Sequence, residues 1–113
     1  LGLLVIGDVK RGDIGSTSTA YAAGHLKDVA LHEPDDDDHD AATPDAITVN
    51  PMLGMDATEP FIARAEEEGK GLFVLVRTSN PGSADFQDVL LQNGKSWSEH
   101  VADTLQTRVT RTQ

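Results

Sequence analysis

The residues of this chain best suited to chemistry are two carboxylates and one ammonium group close to its start. Asp8 and Lys10 lie two positions apart, so on a β-strand their side chains point to the same side. Asp13 follows in a Gly-Asp-Ile-Gly sequence that is typical of a turn. Acids beside a lysine favour its protonated form. Such a lysine can protonate a developing carbanion, and a neighbouring carboxylate can destabilise a substrate anion placed against it.

The same three residues also fit a simpler interpretation, a network of ion pairs on the protein surface. Exposed charged pairs are common and contribute little to stability. The position of the cluster favours the functional interpretation, because it follows an apolar run at residues 3–6 that predicts a buried strand. In α/β proteins, active sites lie at the carboxyl ends of the strands.

Three apolar runs, each followed by a helical pattern, predict the elements that would position this cluster. The predicted strands are residues 3–6, 46–49 and 71–76. The third run is continuous and rich in β-branched residues, which is typical of a strand buried on both faces. Strands that alternate with helices imply a parallel sheet. The predicted fold class is therefore α/β, in the order βαβαβα.

The first helix is predicted to follow the charged cluster directly. Ser16 or Thr17 is expected to be its N-cap, because a hydroxyl at that position accepts a hydrogen bond from a free backbone N–H. The spacing of apolar residues predicts which positions face the core, namely Ala20, Tyr21, Ala23 and Leu26.

Capping-box patterns predict where the other two helices begin. Asp56 and Glu59 have the spacing of such a box, and Gly69 suits the position just after the end of that helix. Ser96 and Glu99 form the second box. The helix that follows has an apolar stripe at positions i, i+4 and i+8, formed by Val101, Leu105 and Val109.

Composition limits the functions open to the chain. Its 113 residues fit one domain with a modest core, and its net charge of −10 opposes binding to nucleic acid. No apolar run approaches the roughly 20 residues that span a bilayer, so we expect no membrane association. The absence of cysteine excludes thiol catalysis and favours a cytoplasmic location. The first residue is leucine and no signal peptide is visible, so we expect a processed, truncated or internal piece.

An acidic segment interrupts the alternation of strands and helices. It places six acids within residues 33–40, and we expect a solvated, disordered loop over residues 33–45. An alternative is a module that binds a divalent cation, with His32 and His39 nearby. The segment lacks the glycine turn of calcium-binding loops, which makes it a poor match to that class of site.

Three blocks of the sequence resemble orotidine 5′-phosphate decarboxylase, and most closely its bacterial group with the longer chain. The blocks are residues 8–17, 48–54 and 73–82. The Asp-x-Lys-x-x-Asp pattern of the first block also occurs in related sugar-phosphate decarboxylases and aldolases, so the resemblance depends on all three blocks together. Their order and spacing fit the third to fifth βα units of that family's barrel. The acidic segment resembles a local insertion.

The resemblance implies a fold and an activity. The fold would be a portion of a (β/α)8 TIM barrel, with three consecutive βα units in one partial domain spanning residues 1–113. The activity would be that of a lyase, the decarboxylation of orotidine 5′-phosphate to uridine 5′-phosphate in de novo pyrimidine biosynthesis. The family needs no metal ion and no organic cofactor.

The resemblance also implies roles for individual residues. Asp8 would lie against the substrate carboxylate, and Lys10 would protonate C6 of the pyrimidine as carbon dioxide leaves. In a homodimer, Asp13 would complete the charged network of the neighbouring subunit's site, and Thr17 would contact the ribose in that same site. Ser79 would hydrogen-bond the pyrimidine.

The length of the chain departs from that family. A barrel of this kind usually needs about 250 residues, and the chain has 113. The family also uses an earlier lysine, which forms a charged tetrad with the residues that match Asp8, Lys10 and Asp13. That lysine and the family's phosphate-binding region are absent from the 113 residues here. We therefore expect this piece alone to be inactive. Two alternatives stay open, a magnesium-dependent sugar-phosphate decarboxylase or aldolase of the same superfamily, and a non-catalytic fragment.

Overall fold

The computed structural model of this chain describes residues 2–26, 29–30, 40–41 and 43–111. They belong to two units, Leu1–Val74 and Leu75–Gln113. The elements of the first unit are β1 (Ile6–Arg11), α1 (Gly15–Leu26), β2 (Val29–Ala30), β3 (Asp40–Ala41), β4 (Ala46–Val49), α2 (Met55–Glu68) and β5 (Gly71–Val74). Those of the second unit are α3 (Ser83–Phe86) and α4 (Trp97–Arg111).

A parallel sheet organises the first unit. Its strand order is β1-β4-β5, with β4 in the centre. β4 pairs with β5 without interruption, from Ala46 opposite Gly71 to Val49 opposite Val74. The pairing of β1 with β4 is also parallel, but its register shifts between Gly7 and Arg11. The predicted α/β class with parallel strands is confirmed.

One face of this sheet packs against α1 and α2. The buried cluster joins both helices to the central strand, and its members are Ala22, Leu26, Ile47, Val49, Phe61 and Ala65. Because side chains alternate along a strand, the residues next to Ile47 and Val49 point to the other face. That other face therefore carries Thr48 of β4 and, on the flanking strands, Asp8 and Phe73.

The predicted burial of the first and third strands is wrong. β1 begins at Ile6 rather than at Leu3, and the side chains of Leu3 and Leu4 are 82% and 84% exposed. β5 ends at Val74, and Phe73 is 54% exposed. The reason is that, among the described strands, β1 and β5 each pair with one neighbour, whereas β4 pairs with two.

The first helix begins earlier than predicted. α1 starts at Gly15, so Ser16 and Thr17 lie within the helix and neither is its cap. Ser18 is buried instead, and its hydroxyl donates a 2.6 Å hydrogen bond to the backbone carbonyl of Ala57 in α2. Of the four predicted core positions, Leu26 is buried, Tyr21 and Ala23 are half-buried, and Ala20 is exposed.

The two predicted capping boxes have different outcomes. The residue before α2 is Gly54, with φ 103° and no side-chain cap, so Asp56 and Glu59 do not form the predicted box. At α4 the box is formed: Ser96 N–H donates to Glu99 over 3.0 Å, and Glu99 N–H donates to the Ser96 hydroxyl over 3.2 Å. A left-handed Gly69 ends α2 as predicted.

A small ladder is formed by residues on both sides of 31–39, and its second strand, β3, lies within the predicted loop of residues 33–45, which is therefore wrong at that strand. β2 and β3 pair antiparallel, with Val29 opposite Ala41 and Ala30 opposite Asp40. Residues 31–39 and 42, which include both histidines of the candidate cation site, lie outside the described residues. No helix among the described residues is long and apolar enough to cross a membrane.

Candidate active site

The structure brings Asp8 and Lys10 together on the sheet face away from the helices. Lys10 Nζ lies 2.5 Å from Asp8 Oδ1. Their side chains are 63% and 53% exposed, so both groups are accessible. The prediction that alternation along a strand would bring the two together is confirmed, but both lie within β1 and not beyond its end.

Thr48 is the third member of this cluster, and it did not emerge from the sequence. Its hydroxyl donates a 2.8 Å hydrogen bond to Asp8 Oδ1 and accepts a 2.9 Å hydrogen bond from the backbone N–H of Lys10. The signal that points to it is the strand register. Gly7 pairs with Ile47, which places the next residue of each strand, Asp8 and Thr48, side by side.

The backbone at Lys10 is unusual. Its φ is 47°, in the left-handed region that residues other than glycine rarely adopt. This conformation coincides with the register shift between Gly7 and Arg11, as in a β-bulge. Bulges redirect side chains near active sites, and strained residues persist where the surroundings hold them in place. Here the ion pair to Asp8 and the bond to Thr48 hold Lys10.

The electrostatics of the cluster favour an ionised Asp8. Hydrogen bonds from the Lys10 ammonium and then from the Thr48 hydroxyl lower the pKa of Asp8 below its ordinary value, because both stabilise the anion. A fixed negative charge therefore lies beside a cationic proton donor on an accessible surface. This arrangement can repel a substrate carboxylate while it attracts a carbanion.

Asp13 and Thr17 lie apart from this cluster. Asp13 is half-buried, and its Oδ1 accepts a 2.8 Å hydrogen bond from the N–H of Ile14 at the start of α1. Thr17 is exposed in the first turn of α1. Among the described residues, the hydrogen-bonded cluster thus contains Asp8, Lys10 and Thr48 without Asp13.

Ser79 belongs to the second unit, where it lies in a loop held by side-chain hydrogen bonds. Arg77 donates two hydrogen bonds to the carboxylate of Asp88, of 2.8 Å and 2.9 Å. Gln87 accepts a 2.7 Å hydrogen bond from the N–H of Thr78 and donates one of 3.0 Å to its hydroxyl. Ser79 itself is exposed. The two residues that precede Ser79, Arg77 and Thr78, are therefore bonded to the segment that follows α3.

Metal-binding side chains do not cluster in the part of the chain that the structure describes. Within residues 2–26, 29–30, 40–41 and 43–111, no group of three His, Asp or Glu side chains could hold a metal ion.

Comparison with known proteins identifies the family. The sequence model described as "Orotidine 5′-phosphate decarboxylase / HUMPS family" matches residues 1–107 of the 113. The chain belongs to this family. The resemblance seen in the three sequence blocks is thus confirmed over nearly the whole chain.

Members of the family with known names give the same result. A curated orotidine 5′-phosphate decarboxylase of Clostridium novyi is 42% identical over 106 residues, covering 94% of this chain and 33% of that protein. One of Haloarcula marismortui is 48% identical over 102 residues, covering 88% of this chain and 32% of that protein. The chain therefore spans about a third of the length of these relatives.

Solved structures of the family share the fold. A crystal structure from Streptomyces avermitilis, described as an orotidine 5′-phosphate decarboxylase, is 37% identical with a TM-score of 0.76. The match covers 95% of this chain and 34% of that one. The Leishmania donovani OMP decarboxylase gives 35% identity and a TM-score of 0.68, over 89% and 34% of the two chains. The βα units described above are therefore part of this family's TIM barrel.

Proposed function

We propose that this chain supplies central charged residues of an enzyme that decarboxylates orotidine 5′-phosphate to uridine 5′-phosphate. The observation that carries the proposal is the 2.5 Å contact between Lys10 Nζ and Asp8 Oδ1 on an accessible sheet face. Family membership supports the reaction, and the accessible pair supplies two of the charges that take part in this chemistry.

The first role that we assign is electrostatic and belongs to Asp8. A substrate carboxylate placed against the Asp8 carboxylate is destabilised by repulsion between like charges. The repulsion falls as the C6 carboxylate departs as neutral carbon dioxide. Asp8 therefore raises the energy of the bound substrate more than that of the transition state, which increases kcat.

The second role belongs to Lys10. The bond between C6 and the carboxyl carbon breaks, its electron pair stays on C6, and carbon dioxide leaves. The Lys10 ammonium stabilises the negative charge at C6 and then transfers one proton from Nζ to that carbon. The product is uridine 5′-phosphate. The neutral amine of Lys10 regains its proton from solvent.

The proposal also includes a second subunit. Asp13 lies just before α1 and Thr17 in its first turn, both outside the hydrogen-bonded cluster, which suits residues that serve a neighbouring site. In the homodimer, Asp13 would join the partner's charged network and Thr17 would contact the ribose bound there. Ser79 would hydrogen-bond the pyrimidine, a role that rests on the similarity of the third sequence block.

The rest of the barrel would supply the remaining groups. The chain spans about a third of its relatives, so we propose that the phosphate-binding region and a second lysine come from the other βα units. The 113-residue piece alone would then be inactive. A cytoplasmic location fits this function, because charged nucleotides do not cross a bilayer unaided.

The test uses the complete enzyme that contains this sequence. We expect Lys10→Ala to lower kcat for orotidine 5′-phosphate by at least roughly 10²-fold, the typical contribution of a positioned acid. The matched control is Lys95→Ala, because Lys95 forms an exposed ion pair with Asp103 in the second unit. The control should keep the wild-type rate, and both variants should keep the wild-type circular dichroism spectrum.

Two outcomes would contradict the proposal. Turnover of orotidine 5′-phosphate by Lys10→Ala at the wild-type rate would remove the role of Lys10. If the wild-type enzyme does not turn over orotidine 5′-phosphate but acts on a sugar phosphate only with magnesium, the function would instead be that of the magnesium-dependent sugar-phosphate decarboxylases or aldolases. An assay with and without a chelator separates these outcomes.

A further inference from the structure

The hydroxyl of Thr48 connects both charged residues of the cluster. It has one hydrogen to donate, which goes to Asp8 Oδ1 over 2.8 Å. It accepts the backbone N–H of Lys10 over 2.9 Å. These partners lie 40 and 38 positions away in the sequence. The hydroxyl is thus used between strands and not for the local backbone bonding that is common for threonine.

The bond to Lys10 compensates for a break in the sheet. In a regular parallel ladder, backbone groups of neighbouring strands pair with one another. The register of β1 and β4 shifts between Gly7 and Arg11, and Lys10 adopts a left-handed φ of 47°. The hydroxyl of Thr48 satisfies the Lys10 N–H within this irregular stretch. The unusual conformation of Lys10 therefore depends on a side chain of β4, the neighbouring strand in the sheet.

The position of Thr48 is itself well fixed. It lies on the central strand β4 between Ile47 and Val49, whose side chains are fully buried against the helices. Threonine is β-branched, which restricts the rotation of its hydroxyl-bearing carbon. A rigid strand and a restricted rotamer together give the hydroxyl a defined place. The Asp8 carboxylate and the Lys10 backbone are held relative to it.

We propose that Thr48 is a positioning residue, whose hydroxyl fixes the orientation of Asp8 and the backbone of Lys10 toward the substrate. The inference rests on the proposed function, in which Asp8 and Lys10 are the reacting charges. Thr48 does not contact the substrate in this role. Loss of its hydroxyl should therefore lower kcat more than it changes KM, because binding energy from the rest of the substrate is kept.

The test compares Thr48→Val with Thr48→Ser in the complete enzyme. Valine keeps the shape and removes the hydroxyl, and we expect kcat to fall about tenfold or more, as for loss of a hydrogen bond to a charged group. Serine restores the hydroxyl and should recover most of the rate. Thr104→Val is the matched control, since the Thr104 hydroxyl donates to the His100 carbonyl within α4. It should leave kcat and its pH profile unchanged.

The pH profile gives a readout that a purely structural role would not change. The Thr48 bond lowers the pKa of Asp8, so its removal should move the acid limb of kcat to higher pH. A carbon-13 titration of the Asp8 carboxyl should show the same shift without any turnover. If Thr48→Val does not fold, Thr48→Ala removes the hydroxyl without adding a methyl group in its place.

The inference would be overturned if a variant without the hydroxyl kept the wild-type kcat, the wild-type acid limb of the pH profile and the wild-type titration of Asp8. Equal losses in Thr48→Val and Thr48→Ser would also overturn it. Failure of the proposed function would give a different set of results. In that case orotidine 5′-phosphate is not turned over by the wild type, or Lys10→Ala keeps its rate, while the carbon-13 titration still reports the bond from Thr48 to Asp8.

Discussion

At the scale of residues, what distinguishes the candidate site is the way in which its ion pair is held. Lys95 and Asp103 also form an exposed ion pair, on the second unit. The pair of Lys10 and Asp8 has in addition a hydroxyl bond on the carboxylate and a left-handed backbone at the lysine. Strain and cross-strand bonding of this kind are typical of functional sites, whereas a simple surface pair needs neither.

The ionisation of Asp8 predicts a pH dependence of stability. Its pKa in the folded protein is lowered, chiefly by the hydrogen bond from Lys10, so folding favours the anion. The resulting stabilisation is present above the ordinary carboxyl pKa and is lost as the pH falls through the lowered value. We expect the Tm of Asp8→Asn to fall less than that of the wild type when the pH is lowered from neutral to acidic. Parallel Tm curves for the two proteins would contradict this.

The sequence allowed part of this site to be predicted. The meeting of Asp8 and Lys10 follows from the two-residue period of a strand, which is a local property. Thr48 could not be found in this way. Its place beside Asp8 depends on the register of two strands whose contacting residues are 40 positions apart, and no local pattern determines that register.

At the scale of elements, the ends of β1 and β4 approach each other closely just beyond the cluster. The N–H of Asn50 donates a 2.7 Å hydrogen bond to the carbonyl of Arg11. A Cβ added at Gly12 would lie 2.6 Å from the backbone oxygen of Asn50. Glycine is therefore required at position 12 by the contact between the two strands.

This contact predicts a large effect of a small substitution. In the complete enzyme, Gly12→Ala should lower the free energy of unfolding by about 1–3 kcal/mol, because backbone atoms must move apart. Gly24→Ala is the matched control. A Cβ there meets nothing within 4 Å, and alanine in a helix should stabilise by about 0.5–1 kcal/mol. Urea unfolding measures both, and equal midpoints for the two variants would contradict the prediction.

Local sequence patterns predict the start of one helix correctly and the start of another wrongly. The start of α4 was correctly located because Ser96 and Glu99 lie three positions apart and bond each other reciprocally. The start of α2 was not, because the chain enters that helix through Gly54 at φ 103°, a conformation suited to glycine. The exposure of Leu3 and Leu4 was also missed, since apolar character alone does not say whether a neighbouring strand is present.

At the scale of the whole molecule, the described sheet has two edges with a single partner strand each. β1 and β5 flank β4, and the apolar side chains of Ile6 and Phe73 on these edge strands are more than half exposed. A closed barrel removes such edges. The share of the relatives that this chain covers, about a third, agrees with a sheet that further βα units would complete.

The proposed dimer can be tested by complementation between subunits. Asp13→Ala and Lys10→Ala homodimers of the complete enzyme should each be inactive. A mixed dimer would contain one intact site, with Lys10 from one subunit and Asp13 from the other. After random exchange, we expect roughly a quarter of the wild-type activity, because half of the dimers are mixed and each has one such site.

The control for this experiment mixes Asp13→Ala with Asp13→Asn, a combination in which no site has an aspartate at position 13. It should recover nothing. Absence of recovery in the first mixture, with subunit exchange verified by mass spectrometry, would place Asp13 outside the neighbouring site.

The hydrogen bond of the Lys10 amide has a consequence for hydrogen exchange. Its hydrogen is held by the Thr48 side chain and not by a backbone carbonyl. Hydrogen–deuterium exchange at this one position therefore depends on the rotation of a threonine, whereas exchange at regularly paired amides depends on the separation of strands. The Lys10 amide is thus an intrinsic reporter of the site. Its exchange would reveal a disturbed site while the strands around it remain paired.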